Sequence, residues 1–197
     1  MLQSGVSIEF VIIRGVPDTS NDVIDTGVRR SAGDVFQYNG ITKNYAVIPS
    51  IVQFAYAIKR GGRDVGTVEE LTHQKLLEIY NEREEFWNDA TTLAQKYYHE
   101  CGKLLSTSLI GGFYVVFHDI DKDAADKFMY QLCTGKSITN ESICVLKNKL
   151  LQLAAAGEKL KKSYRNAFII KTWNAYRTNV EFSQLRVNQD EPFLVAV

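Results

Sequence analysis

Proline, cysteine and histidine occur only three times each in 197 residues, and each scarcity closes off a class of protein. With so little proline and no biased tract, the chain is not a low-complexity linker or a collagen-like polymer. Cys101, Cys133 and Cys144 are an odd set, spaced by 32 and 11 residues, and match neither a disulfide framework nor a CxxC zinc half-site. Each falls near an apolar stripe of an expected helix, so all three read as reduced, buried thiols. None of His73, His99 and His118 stands three or four residues from another histidine or a cysteine, the spacing that two ligands on one helix face require. No metal or other cofactor is therefore expected. Long apolar runs are missing too. The two best, 6–13 broken by Glu9 and 109–117 with two glycines and Tyr114, fall well short of the ~20 residues of a spanning helix. The N-terminus has no basic region followed by an apolar stretch and a small-residue cleavage site, so a cytoplasmic protein without membrane association is expected.

Charge of one sign is also lacking. Lys plus Arg equals Asp plus Glu at 23 each, so no overall field steers the chain towards nucleic acid or an anionic surface, and any such binding must come from a local patch. Apolar residues make up 45% and charged residues 23%, the balance of an ordinary globular protein. The length suits one domain over 1–197 with a real core.

Residues 6–14, VSIEFVIIR, are rich in β-branched and aromatic side chains and end at Gly15-Val16-Pro17-Asp18, which predicts a strand. Weaker strand signals lie at 182–187 and 193–197. Everything else reads as helix, so the expected fold is mainly α, a multi-helix domain with a short β element near the N-terminus. Residues 1–40 would carry the strand and a short helix, and 41–187 a helical bundle. The short helix is expected over 28–38, stopped by Asn39-Gly40. A helix over 42–59 follows, which Pro49 would kink or divide into two short helices. Thr67-Val68-Glu69-Glu70 has the form of a capping box opening a helix over 68–80. Phe86, Ala90, Leu93, Ala94, Tyr97 and Cys101 make the clearest helical stripe, over 83–101. The run 107–118 suits a buried strand or a glycine-containing helix, and its helical neighbours favour helix. Asp121 opens the next helix, with Ala125, Phe128, Met129 and Leu132 on one face and Gly135 at its end. A stripe of Ile143, Leu146, Leu150 and Leu153 and a last helix over 158–177 complete the set.

Motifs with chemistry are sparse. There is no GxxxxGK[ST] loop, GxGxxG turn or GxSxG elbow. Asp119-Ile120-Asp121-Lys122-Asp123 imitates the start of a calcium loop, but Ala124 stands where the turn glycine belongs and Tyr130 where the bidentate glutamate belongs. Those acids are better placed as charges at a helix N-terminus. Arg29 and Arg30 occupy the first turn of the 28–38 helix, the end that disfavours positive charge, and two readings follow. Arg30 bridges Asp25 and Asp34 in an ion-pair network, or Gly27 lets the backbone approach a phosphate that Arg29 reaches. On the last helix Lys161, Arg165 and Lys171 define a loose cationic strip among aromatics, a footprint of nucleic-acid binding or simply a solvated face.

The segments IDTGVRRSAGDVFQYNGITKN (24–44), KFMYQLCTG (127–135) and IIKTWNAYR (169–177) occur in an order that resembles the helical portion of phage and prophage proteins with an N-terminal ParB/sulfiredoxin-like domain. The shared pattern falls on Asp25, Gly27, Arg30 and Asp34, then Phe128, Leu132 and Gly135, then Lys171, Trp173, Asn174 and Ala175. The family's G-Q-H-R-like segment, which resembles the nucleotide-contacting arginine motif of ParB proteins, would precede Leu2, so nucleotide binding is not carried over. The resemblance implies a non-catalytic module that binds DNA or a DNA-associated protein. A phage protein inhibiting a host factor, such as a defence system, through protein contacts alone is the alternative. An enzyme is disfavoured because no acidic cluster, ligand set or nucleophile-base pair stands out. Arg29, Arg30, Lys161, Arg165 and Lys171 are the expected partner contacts, and Asp25, Gly27, Asp34, Trp173 and Asn174 the structural residues. An unpaired edge on the 6–14 strand would invite a second copy of the chain.

Overall fold

A computed structural model describes residues 31–102, 104–155, 162–187 and 196. The expected strand at 6–14, most of the one at 193–197, and Asp25, Gly27, Arg29, Arg30 and Lys161 lie outside them. The described residues from Ala32 onward belong to one compact unit. They form eight α-helices and no strand: α1 (Ala32–Tyr38), α2 (Ile48–Gly61), α3 (His73–Glu82), α4 (Glu84–Glu100), α5 (Thr107–Ile120), α6 (Lys122–Thr134), α7 (Glu141–Ala155) and α8 (Lys162–Arg177), with a 3-10 turn at Val65–Thr67. Among the described residues no helix is long and apolar enough to cross a membrane.

The run whose periodicity left strand and helix open is the centre of the unit. Nine consecutive residues of α5, from Leu109 to Phe117, are buried. A helix apolar all round needs neighbours on every side, and α5 has them in α2, α4 and α6. Its glycines set how closely α2 lies. A Cβ on Gly111 would fall 2.6 Å from Ile51 Cδ1, and one on Gly112 2.3 Å from Phe54 Cδ1 and 3.2 Å from the Ala55 nitrogen. Only bare Cα atoms allow that approach.

The stripe on α4 packs as its spacing predicts, with Ala90, Ala94 and Tyr97 buried and Trp87 and Thr91 widening it. On α6 Ala125, Phe128, Met129 and Leu132 are all buried. Asp121 caps that helix, its carboxylate accepting from the Ala124 nitrogen at 3.0 Å. Gly135 ends it in the left-handed region at φ 71°, where a side chain would be strained.

Three expectations need correction. No helix spans 42–47. Asn44 has a left-handed φ of 57°, which breaks a right-handed helix, and Pro49 sits in the first turn of α2, where its missing N–H costs no bond. Pro49 starts the helix instead of kinking it. Thr67-Val68-Glu69-Glu70 is not a capping box, because the Thr67 hydroxyl donates to the Asp64 carbonyl at 2.8 Å and the Leu71 nitrogen to Gln53 Oε1 at 2.9 Å. Those bonds hold the segment over α2, and the helix begins later, where Thr72 accepts from the Lys75 nitrogen at 3.3 Å. Residues 182–187 form no strand. Among the described residues no neighbouring strand pairs with them; the Phe182 nitrogen instead donates to Ser142 Oγ at 3.1 Å, and Leu185 is buried.

Candidate functional site

One face of α2, the turn after it and the start of α8 converge on a cleft of about 760 Å³. From α2 come Ser50, Gln53, Phe54 and Ala57, one face of that helix at helical spacing. The loop beyond gives Arg63, Asp64 and residues 65–68, and α8 gives Lys162 and Ser163. Ser108 of α5 and Glu70 complete the wall.

Arg63 is fixed in place. Its side chain is only 12% exposed and its Nε lies 3.4 Å from Asp64, while its carbonyl accepts from Asn166 Nδ2 of α8 at 3.2 Å. Asn166, 0% exposed, thus ties the last helix to the cleft wall. Phe54 is half-buried, its ring over Gly112 and edge-on to Phe113 at a centroid distance of 5.3 Å. Gly66 also lines the cleft, and an added Cβ there would meet nothing within 4 Å. The cleft therefore presents an aromatic floor, aliphatic shoulders at Ala57, Val65 and Val68, and a rim of hydroxyls with two cations and two acids.

The expected partner residues of α8 are not equivalent. Lys162, which the sequence did not single out, is exposed on the cleft. Arg165, a turn on, is half-buried; burial pulls its pKa down, and its Nε is enclosed with no hydrogen-bond partner. Lys171 is drawn back onto the chain, its Nζ donating to the Arg186 carbonyl at 2.8 Å. Of the expected strip, Lys161 lies outside the described residues, Arg165 is half-buried and Lys171 is bonded to the chain's own backbone. Trp173 is 0% exposed and lies parallel on Phe117, with centroids 4.3 Å apart and planes at 6°. Asn174 is half-buried on the same helix, and Asp34 is exposed in the first turn of α1. The missed signal for Arg63 was the Arg60-Gly61-Gly62-Arg63 run, where a helix stop delivers a cation into a turn.

Two other polar places are built differently. Asp119, at the end of α5, bridges Lys59 of α2 and Arg83, whose Nη1 lies 2.7 Å from the carboxylate. Burial alone would raise the Asp119 carboxyl, but the hydrogen bonds and charges of Lys59 and Arg83 outweigh it and hold the group below its ordinary range. Arg83 also lies over the Phe86 ring at 4.0 Å. This network clamps three helices. A polar groove of about 480 Å³ lies between Asp121, Asp123, Lys127, Thr139 and Tyr176, with Arg177 Nε 3.7 Å from Asp121. Among the described residues no three His, Cys, Asp or Glu side chains are grouped to hold a metal.

Comparison with known proteins finds no matching family model, no matching curated relative and no matching solved structure.

Proposed function

We propose that the chain is a non-catalytic, phage-type helical module, like the C-terminal part of ParB-like proteins, that binds DNA or a DNA-associated protein in the host cytoplasm. The observation that carries the reading is that Arg63 and Lys162, from different parts of the chain, both line one cleft. With equal numbers of charges overall, a phosphate backbone can be held only where cations are gathered locally, and contacts of that kind position a nucleic acid without reading its sequence. Arg29 and the half-buried Arg165 extend the same proposal.

The test is DNA affinity measured against salt concentration. Lys162→Ala, at an exposed site, should leave the melting curve intact and lower the salt slope by about one. Arg29→Ala should do the same, while Arg30→Ala should lower the melting temperature if its fork joins Asp25 and Asp34. Absence of DNA binding by the wild type at low salt would remove the DNA reading. It would leave inhibition of a host factor through protein contacts.

A further inference from the structure

We infer that the cleft takes an unstacked nucleotide of a single-stranded nucleic acid, with the base on Phe54 and the adjoining phosphates against Arg63 and Lys162. The inference deepens the proposed function and rests on it, since it names which form of nucleic acid the same cations would hold.

Three observations point this way. The cleft, at about 760 Å³, falls in the roughly 300–1,000 Å³ range of sites that enclose small ligands. A duplex keeps its base faces inside the stack, so only an extruded or single-stranded base can enter such a space with its face exposed. Phe54 is held in place: its ring packs against Gly112 and lies at 75° to Phe113, and the half-buried side chain lines the cleft. An aromatic side chain beside a cationic wall is the usual means of binding single strands without sequence preference, because every base has a π-face. Finally, Arg63 and Lys162 reach the cleft from different elements, which gives a strand two separate points of phosphate contact. Asp64 and Glu70 line the same cleft, and Asp64 pairs with Arg63, so the two acids balance the two cations and the attraction for a phosphate is local, acting only at close approach to Lys162 and Arg63. That local charge favours a short stretch of strand over a long duplex track. Ser50 and Ser108 on the cleft wall already bond to the Val47 carbonyl and to Ser106, so what they offer a base is chiefly their acceptor lone pairs.

The experiment compares a fluorescent oligothymidylate with a duplex of equal length, by anisotropy, for the whole chain and three variants. The single strand should bind more tightly than the duplex. Phe54→Leu keeps an apolar side chain over Gly112 but removes the π-face, and should weaken the single strand about ten-fold while leaving duplex affinity unchanged. Gly66→Leu, where added atoms have room, should narrow the cleft and weaken the single strand similarly, which keeps the test open if Phe54→Leu unfolds. Lys162→Ala should lower the single-strand salt slope by about 0.7. Equal binding of both forms, with Phe54→Leu and Gly66→Leu neutral, would overturn this inference and leave the broader DNA reading standing. Binding of neither form would overturn both.

Discussion

Trp173 shows how one side chain can anchor a helix. It stacks on Phe117 of α5, meets Phe128 of α6 edge-on at 5.5 Å, and carries the Arg177 guanidinium at 5.7 Å. Its indole Nε1 is enclosed without a hydrogen-bond partner, a cost accepted because the ring area lost from water is large. Trp173→Ala should destabilise the fold by ~3–5 kcal/mol, read as a lower denaturant midpoint; an unchanged midpoint would mean that the ring contributes no core packing. Asp119 makes a pH-dependent contribution. Its folded carboxyl titrates below the unfolded value of about 3.9. The stabilisation is therefore complete above about pH 4 and lost as pH falls through the lowered folded value. Asp119→Asn should flatten the acid limb of melting temperature against pH. At pH 7 it should cost about 1 kcal/mol, since Lys59 and Arg83 are both substantially exposed. An acid limb identical to that of the wild type would show that the bridge is silent.

Between elements, the contact of α2 with α5 depends on the absence of side chains at Gly111 and Gly112. Gly112→Ala would press a methyl group into the Phe54 ring and the Ala55 backbone. It should cost ~1–3 kcal/mol by overpacking and, by displacing Phe54, disturb the cleft floor as well. Thermal melts of Gly112→Ala beside Gly66→Ala separate the two effects, because the second position has open space; equal stability of both variants with the wild type would refute tight packing at Gly112. The helix starts show why local motifs misled. Thr67 and Thr72 both precede acidic or polar helical sequence, and either could cap on spacing alone. The Gln53 side chain, eighteen residues upstream, takes the Leu71 nitrogen and decides for Thr72.

For the molecule as a whole, the helices cover over half of the chain. Far-ultraviolet circular dichroism should be dominated by the helical double minimum, and strand content equal to helix would contradict the architecture. On the proposed function, zero formal charge means that association with DNA should not be accelerated by long-range steering. The on-rate should depend weakly on ionic strength compared with that of a basic DNA-binding domain, and the cleft variants should act on the off-rate. Stopped-flow association at two salt concentrations reads this directly. The enclosed Cys133, whose thiol is pushed up chiefly by burial, should stay unalkylated until the unit unfolds.

Periodicity in the sequence was enough to determine the helical class, the buried faces of α4, α6 and α7, and the stops at Asn39-Gly40, Gly61-Gly62 and Gly135. Each of these depends on residues within a few positions of one another, the range over which side-chain spacing and backbone conformation are coupled. Tertiary structure decided the rest. The apolar run at 109–117 became a helix because α2, α4 and α6 surround it, and segment 182–187 gave up strand pairing for a bond to Ser142. Lys171 was brought to the Arg186 carbonyl, while Arg63 and Lys162, almost a hundred residues apart in sequence, came to share one cleft. No local spacing encodes such a meeting; it follows from the glycine-lined approach of α2 to α5 and from Asn166 joining α8 to the Arg63 carbonyl.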